Sequence, residues 1–319
     1  MNAFVTGGSG FIGRRLIARL VEDGVEVHAL ARSERAATAV RQAGAVALRG
    51  DLTDGPGLLE ALAGMDVVFH LAAETDVLAP AEQHRRVTVD GTRAIVEAAR
   101  AAGVPRFVHC GTEAALLAGA PLVDANEDAP LRPDSPAAYS ASKAVAEQIV
   151  RDANAPDFAT VVIRPRFVWG PDSSLIGAFA AAAEAGQLPW ISGGHHLSDV
   201  THVDNAVEGL ILGWRRGLPG EAYFITDQER VDLRDFVSLL LELAGAPVPV
   251  LEIDGPTADA TVPVPIRWFL GQPCTLRTDK AVRELGYAPV TTHQAGIAAL
   301  RARGGQPAGT SASSSAGAM

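Results

Sequence analysis

Short, almost continuously apolar runs alternate with amphipathic stretches through the first half of the chain. Residues 3–6, 26–30, 45–48, 67–71, 107–110 and 160–163 carry apolar side chains on both alternating sets of positions, the pattern of strands covered on both faces. Between them, 10–23, 33–43, 56–62, 89–102 and 139–154 place apolar residues at helical spacing. This alternation predicts an α/β fold: a doubly wound parallel sheet with helices on both faces. Beyond residue 165 the pattern loosens. Gly and Pro cluster near 170–195 and 245–273, while 200–214 and 233–244 still read as helices and 222–226 as one more strand. The predicted organisation is a first domain over 1–165, a smaller C-terminal lobe over 166–303 partly interleaved with it, and a low-complexity tail over 304–319, expected to be disordered.

Composition narrows the class. The 319 residues are 48% hydrophobic and 20% charged, a globular balance with ample length for a core. Lys and Arg number 27 against 37 Asp and Glu, a net charge of -10 without a basic stripe. That excludes nucleic acid and an anionic membrane surface as main partners. Two cysteines, Cys110 and Cys274, exclude a disulfide scaffold and a four-cysteine zinc site. No metal is expected, and a reducing, cytoplasmic setting is. The most apolar helical stretch, 176–185, falls short of the ~20 residues that a membrane span needs.

The opening Val5-Thr6-Gly7-Gly8-Ser9-Gly10-Phe11-Ile12-Gly13 joins the first strand to the first helix. Gly7 permits a tight turn, Gly10 lets backbone approach a pyrophosphate, and Gly13 lets helix and strand pack closely. Ser9, Phe11 and Ile12 complete the loop, and the phosphate is expected at the helix N-terminus. The first domain is therefore read as a Rossmann-type dinucleotide-binding domain. Where NAD enzymes place an acid at the end of the second strand, this chain has Ala31 followed by Arg32. A guanidinium pairs with a 2′-phosphate that a carboxylate repels, so the predicted cofactor is NADP(H) rather than NAD(H); the competing reading makes Arg32 a solvated surface residue. Asp51 is a candidate for the adenine amino group, or else a helix cap, and Leu52 for packing on the ring. Leu71, Ala72 and Ala73 follow the fourth strand, where small residues let the cofactor backbone pass. His70 is read as structural.

Tyr139 and Lys143 stand four residues apart on one predicted helix, so the phenol and the ammonium share a face. A nearby cation favours the phenolate, which would make Tyr139 a proton donor or acceptor for an alcohol/ketone pair.

With TGGSGFIG (6–13), GDLTD (50–54), HLAA (70–73), YSASK (139–143) and RPRFVWGP (164–171) in this order, the chain resembles the extended short-chain dehydrogenase/reductase family over nearly all of residues 1–300. The resemblance implies that Thr112, after the fifth strand, completes a Thr112/Tyr139/Lys143 catalytic site and polarises the substrate oxygen; a local turn bond is the alternative. It implies that Lys143 also holds the nicotinamide ribose. It places Pro165 near the nicotinamide and Val168 at its carboxamide. Arg166 stands where the family often has a small residue: it reaches an anionic substrate group or forms a structural ion pair. Thr88 replaces a frequent Asn, and Cys110 reads as a small buried residue. GGHHLSDVTHVDN (193–205), EAYFITD (221–227) and DKAVRELGY (279–287) look most like the 3β-hydroxysteroid and sterol-4-carboxylate dehydrogenase branch, which is similar to bacterial reductases of 2-alkyl-3-keto acids. His202 and Asp204 are read as scaffold. The apolar, proline-stiffened stretch 262–270 would cap a lipophilic substrate or connect parts of the small lobe.

These readings predict an NADP(H)-dependent oxidoreductase that interconverts a secondary alcohol and a ketone on a lipophilic or 3-keto-acid-like small molecule. The alternative is a nucleotide-sugar epimerase or dehydratase with tightly bound NAD, for which Glu113, beside Thr112, would supply a carboxylate. A redox-sensing NADP-binding protein is disfavoured, since Tyr139 and Lys143 are both present. The resemblance further implies a homodimer built from the helices at 89–102 and 139–154, whose outer faces look alanine-rich.

Overall fold

The computed structural model describes residues 1–304. Seven strands, β1 (Asn2–Thr6), β2 (Glu26–Ala31), β3 (Val46–Arg49), β4 (Val67–His70), β5 (Arg106–Cys110), β6 (Ala159–Pro165) and β7 (Ala222–Ile225), form one sheet in the order β7-β6-β5-β4-β1-β2-β3. Every neighbouring pair runs parallel. The strand order reverses between β1 and β4, and the crevice outside the carboxyl ends at such a reversal is where an open α/β sheet binds its ligand.

The near-continuous apolar strands follow from coverage on both sides. Val5, Phe69, Val108 and Ile163 face helices α1 (Phe11–Glu22), α2 (Glu34–Gln42) and α6 (Val203–Arg216), packing on Leu16, Ile17, Val40, Leu210 and Ile211. Their chain neighbours Phe4, Val68, Phe107 and Val162 face the opposite layer, where α3 (Gly55–Leu62), α4 (Gly91–Ala101) and α5 (Ala138–Asp152) contribute Leu58, Leu62, Ile95, Ala99 and Val150. Each of these Val, Leu, Ile and Phe side chains, fully buried, is worth about 1.5–3 kcal/mol. β7 lies far along the chain yet closes the edge of the main sheet against β6.

A second core, built around Phe167, Trp169, Phe179, Trp190, Phe236 and Leu270, holds the C-terminal elements together. Here the structure adds elements that the sequence pattern hides. The stretch 262–270 contains a helix, Val264–Gly271, preceded by another at Gly255–Thr261. Pro265 sits in the first turn, where a missing N–H leaves no hydrogen bond unmade. A helix at His293–Gly304 follows where none was expected. The predicted 89–102 helix begins earlier, as a π-helical turn over Arg85–Asp90 that runs into α4. Its outward stripe, Arg93, Glu97 and Arg100, is charged rather than alanine-rich, because Ala98 and Ala99 face inward. Among the described residues no helix is long and apolar enough to cross a membrane. The tail at 305–319 lies outside the described residues.

Candidate active site

The glycine loop is shaped by contact. Gly7 takes a left-handed φ of +71°, and the Gly10 N–H closes the turn onto the Gly7 carbonyl at 3.0 Å. A Cβ on Gly7 would lie 2.7 Å from the Ala72 nitrogen, so the loop presses on the chain leaving β4. A Cβ on Gly13 would lie 2.2 Å from the Gly7 carbonyl oxygen. Gly10 caps α1 without a side-chain acceptor, leaving the first-turn amides directed at the loop mouth. The cradle thus fits a dinucleotide pyrophosphate. Ser9, Phe11 and Ile12 are partly exposed along it, Arg14 Nη1 donates to the Ser9 carbonyl at 3.1 Å, and Leu71, Ala72 and Ala73 line the facing strand end.

At the far end of the crevice Ala31 is buried while Arg32 is exposed. Asp51 lies within electrostatic reach of Arg32 and Arg86. Its Oδ1 accepts from the Thr53 amide at 3.0 Å and the Thr53 hydroxyl at 2.9 Å, and the amide bond is the main reason its carboxyl is held below the usual range. That oxygen is therefore engaged in a local turn. The cap of α3 is Asp54, not Asp51. Leu52 is buried against Gly91.

His70, fully buried, is fixed in one tautomer. The Thr92 hydroxyl donates to the Thr88 carbonyl (2.6 Å) and so accepts from His70 Nε2 (2.9 Å). Nδ1 is then the acceptor for the Thr6 hydroxyl at 2.6 Å. Thr6 Oγ1 in turn accepts from the Ala72 amide, so this imidazole ties β1, β4 and α4 around the glycine loop. Thr88, at the position of the frequent Asn, accepts from the Glu74 amide at 3.0 Å. His202 accepts from the Asp204 amide and caps α6, and Asp204 pairs with Arg15.

Three elements bring the central groups together. Thr112 follows β5 and caps a short 3-10 turn, Glu113–Leu116, accepting from the Ala114 amide at 3.2 Å. Tyr139 opens α5, half-buried, with its phenol in hydrogen-bond reach of Thr112. Lys143, one turn on, is buried and donates to the Cys110 carbonyl at 2.9 Å. Burial and the facing Glu113 carboxylate push the Tyr139 phenol up from its ordinary value, and the Thr112 contact pulls it down. The expected phenolate-favouring effect of Lys143 does not dominate here. Burial likewise pulls the Lys143 ammonium down and pushes the Cys110 thiol up, so Cys110 is no nucleophile. Pro165 ends β6, and Val168 sits in a short strand paired with Thr201.

Arg166 resolves into an ion pair. Its Nη1 reaches Glu113 Oε1 at 2.8 Å, its Nε reaches Ser198 Oγ at 3.1 Å, and its guanidinium lies over Phe269. Phe167 supports this placement: its φ of +38°, costly for a bulky residue, is held by edge contacts to Phe179, Phe236 and Phe269. Glu113 Oε2 accepts the Thr112 hydroxyl at 2.7 Å. Sequence reasoning treated Glu113 and Arg166 separately. The signal that unites them is β5 pairing with β6, which brings the two chain exits side by side.

A cavity of about 430 Å³ opens beside Tyr139, walled by Ala118, Pro136, Ile191, Val264, Arg267 and Trp268. Trp268 and Val264 belong to the same apolar cluster as Ala114, Ala137 and Tyr139. His84, buried, sets its ring edge-on to Tyr139 at 5.9 Å.

A sequence profile described as the 3-beta hydroxysteroid dehydrogenase/isomerase family matches residues 4–251. The chain is 43% identical to 4-hydroxy-2-methyl-3-oxo-4-farnesyl-3,4-dihydroquinoline-1-oxide ketoreductase of Stigmatella aurantiaca, over 98% of each chain. It is 33% identical to 2-alkyl-3-oxoalkanoate reductase of Stenotrophomonas maltophilia, over 95% of this chain and 99% of that one. Among solved structures, the dTDP-glucose 4,6-dehydratase DesIV of Streptomyces venezuelae, with NAD bound, superposes at a TM-score of 0.79 and 26% identity, covering 95% of this chain and 96% of that one.

Proposed function

The chain belongs to the 3-beta hydroxysteroid dehydrogenase/isomerase family, within the extended short-chain dehydrogenases/reductases, and is an NAD(P)-dependent oxidoreductase of alcohols and ketones; from that premise we propose that it is an NADP(H)-dependent ketoreductase acting on a ketone that carries a large apolar arm. The observation that carries the reading is the convergence of Thr112, Tyr139 and Lys143 at the crevice, beside a cavity in which Ile191, Val264 and Trp268 stand among the polar Ser192, Asp259 and Gln272.

In this reading Gly7, Ser9, Gly10, Phe11, Ile12 and Gly13 hold the pyrophosphate, with Leu71, Ala72 and Ala73 opposite. Arg32 takes the 2′-phosphate, and Asp51 and Leu52 flank the adenine. Pro165, Val168, Tyr139 and Lys143 seat the nicotinamide riboside. When bound, the reduced coenzyme supplies the hydride. Tyr139 donates the proton to the carbonyl oxygen, Lys143 restores the balance of charge beneath it, and Thr112 fixes where that oxygen sits. The two ketoreductase relatives support ketone reduction over sugar chemistry, and Glu113 counts against a dehydratase, since both its oxygens are engaged. The substrate-binding lobe over 166–303 and a homodimer through α4 and α5 belong to the same reading; a monomeric mass in solution removes the dimer.

The test is a side-by-side assay of NADPH and NADH oxidation with 2-alkyl-3-oxo acids and prenylated cyclic ketones. NADPH-dependent alcohol formation is the expected result. Retained NAD, with a changed nucleotide sugar and no net coenzyme consumption, overturns it.

A further inference from the structure

The glycine loop leans on two strands. A Cβ on Gly7 would lie 2.7 Å from the Ala72 nitrogen, at the exit of β4, whereas one on Gly8 would lie 3.1 Å from Ala29 Cβ, on β2. The Gly8–Ser9 limb is therefore the β2 side of the cradle, and Arg32 follows about 10 Å farther along that strand. Onto this limb α1 lays a cation. Helix side chains lean toward the N-terminus, so Arg14, the fourth residue of α1, covers the loop before it, and its Nη1 donates to the Ser9 carbonyl at 3.1 Å. The other two arginines of α1 are paired, Arg15 with Asp204 and Arg19 with Asp23 and Glu208. Arg14, half-buried, has the Ser9 carbonyl as its one hydrogen-bond partner and no carboxylate within ion-pair distance among the described residues. Four of its five N–H donors are left over, in a chain whose net charge is -10. The acids at this end of the crevice are engaged: Arg41 holds Glu34 at 2.8 Å, and Asp51 sits in the Thr53 turn with Arg32 and Arg86 facing it.

We propose that Arg14 is a second specificity-determining residue for the coenzyme's 2′-phosphate, which is held between the glycine loop and the end of β2 by Arg14 and Arg32 together. The inference rests on the reading above in which Arg32 takes that phosphate. The pyrophosphate is served by the first-turn amides of α1, which need no side chain. A guanidinium on the β2 limb adds selection instead, because NAD carries a neutral hydroxyl where NADP carries a dianion. The fork of Arg14 pairs with phosphate oxygens in two hydrogen bonds, and its tie to the Ser9 carbonyl sets it in place beforehand, so little side-chain freedom is lost on binding.

The experiment reads binding, not turnover. The parent, Arg14→Gln and Arg32→Ala are titrated by calorimetry with adenosine 2′,5′-bisphosphate and 5′-AMP, and by fluorescence with NADPH and NADH. Glutamine keeps a donor for the Ser9 carbonyl and loses the charge. In Arg14→Gln the bisphosphate and NADPH are expected to bind roughly tenfold more weakly, while 5′-AMP and NADH stay within a factor of about two. The salt dependence of NADPH binding should become shallower. Equal weakening of NADPH and NADH places Arg14 at the pyrophosphate or in the loop alone and overturns the inference, as does unchanged binding of all four. Where Arg14→Gln does not fold, the parent decides: modification of Arg14 by phenylglyoxal, located by peptide mass, should be suppressed by the bisphosphate and not by 5′-AMP, and equal protection by both overturns the inference. A parent that binds NADH as tightly as NADPH removes the 2′-phosphate reading and the inference with it. A preference for NADPH that Arg32→Ala abolishes and Arg14→Gln preserves leaves that reading standing and removes the inference alone.

Discussion

Glu147 and Arg164 meet in an ion pair with no exposed surface on either side chain: Arg164 Nε lies 3.1 and 3.0 Å from the two carboxylate oxygens. The pair joins α5 to β6 one helical turn below Lys143, and the carboxylate favours the Lys143 ammonium against the pull of burial. Removing one partner strands a charge in the core. Glu147→Ala is expected to lower unfolding free energy by about 3–5 kcal/mol, read from urea denaturation. A loss below 1 kcal/mol would show that water reaches the guanidinium.

Tyr139→Phe removes one oxygen from a half-buried ring and leaves the glycine cradle untouched. Coenzyme binding, followed by fluorescence titration, is expected to stay within a factor of about two, while kcat falls by roughly 10²–10⁴. Near-parent turnover would remove Tyr139 from the chemistry.

What was legible in the sequence was whatever a local pattern encodes. The apolar runs became β1 to β7 because both faces of that sheet are covered, and the spacing of Gly7, Gly10 and Gly13 became a cradle because each position faces backbone. Tyr139 and Lys143 share a face because helical periodicity dictates it. What stayed hidden depends on pairing across the chain. Glu113 and Arg166 are 53 residues apart and meet only through the β5–β6 order. The helix Val264–Gly271 was masked by two prolines that read as loop yet sit at and inside its first turn. With it was hidden the wall that Trp268 builds beside Tyr139.

Arg32 is exposed at the end of β2, with Arg86 sharing its neighbourhood around Asp51 and no acid at position 31. Arg32→Ala is expected to raise the KM for NADPH by about tenfold or more, the value of one strong charge-assisted contact, with little effect on NADH. The difference should shrink as salt rises. Equal effects on both coenzymes would return Arg32 to the solvated surface.

Stability should depend on pH through buried histidines. Burial, reinforced by Lys143, pulls His70 down to about 3, and His109, stacked on it at 5.3 Å, is pulled down for the same reasons. Both are neutral when folded and ionise in the unfolded chain below its ordinary value of ~6.5. The unfolded state then binds more protons, so unfolding free energy falls as pH drops below ~6.5 and is flat with respect to these groups above it. His293 works the other way. Asp227 at 2.9 Å raises it against the pull of burial, so its contribution is complete below ~6.5 and lost as pH rises through its folded value. Urea midpoints should therefore rise from pH 5 to about 6.5 and then level off or fall as His293 loses its proton, and His109→Phe should flatten the acid side. A midpoint indifferent to pH in the parent would contradict the neutral assignment.

The cavity beside Tyr139 supplies the last test, because it separates recognition of the apolar arm from chemistry. Ala118 lines it together with Trp268 and belongs neither to the glycine cradle nor to the contacts of Lys143. Ala118→Phe places a ring in a space of about 430 Å³, within the range of small-molecule sites. Loss of that room removes burial worth about 0.8 kcal/mol for each methylene displaced, so four displaced methylenes cost more than a hundredfold in binding. The KM for a long-chain or prenylated ketone should rise steeply, while a short-chain 3-oxo acid keeps its KM and kcat. Should long and short substrates suffer equally, the cavity does not hold the arm, and the specificity of this chain must be sought along the Phe167, Phe179 and Phe269 cluster on the other side of Arg166.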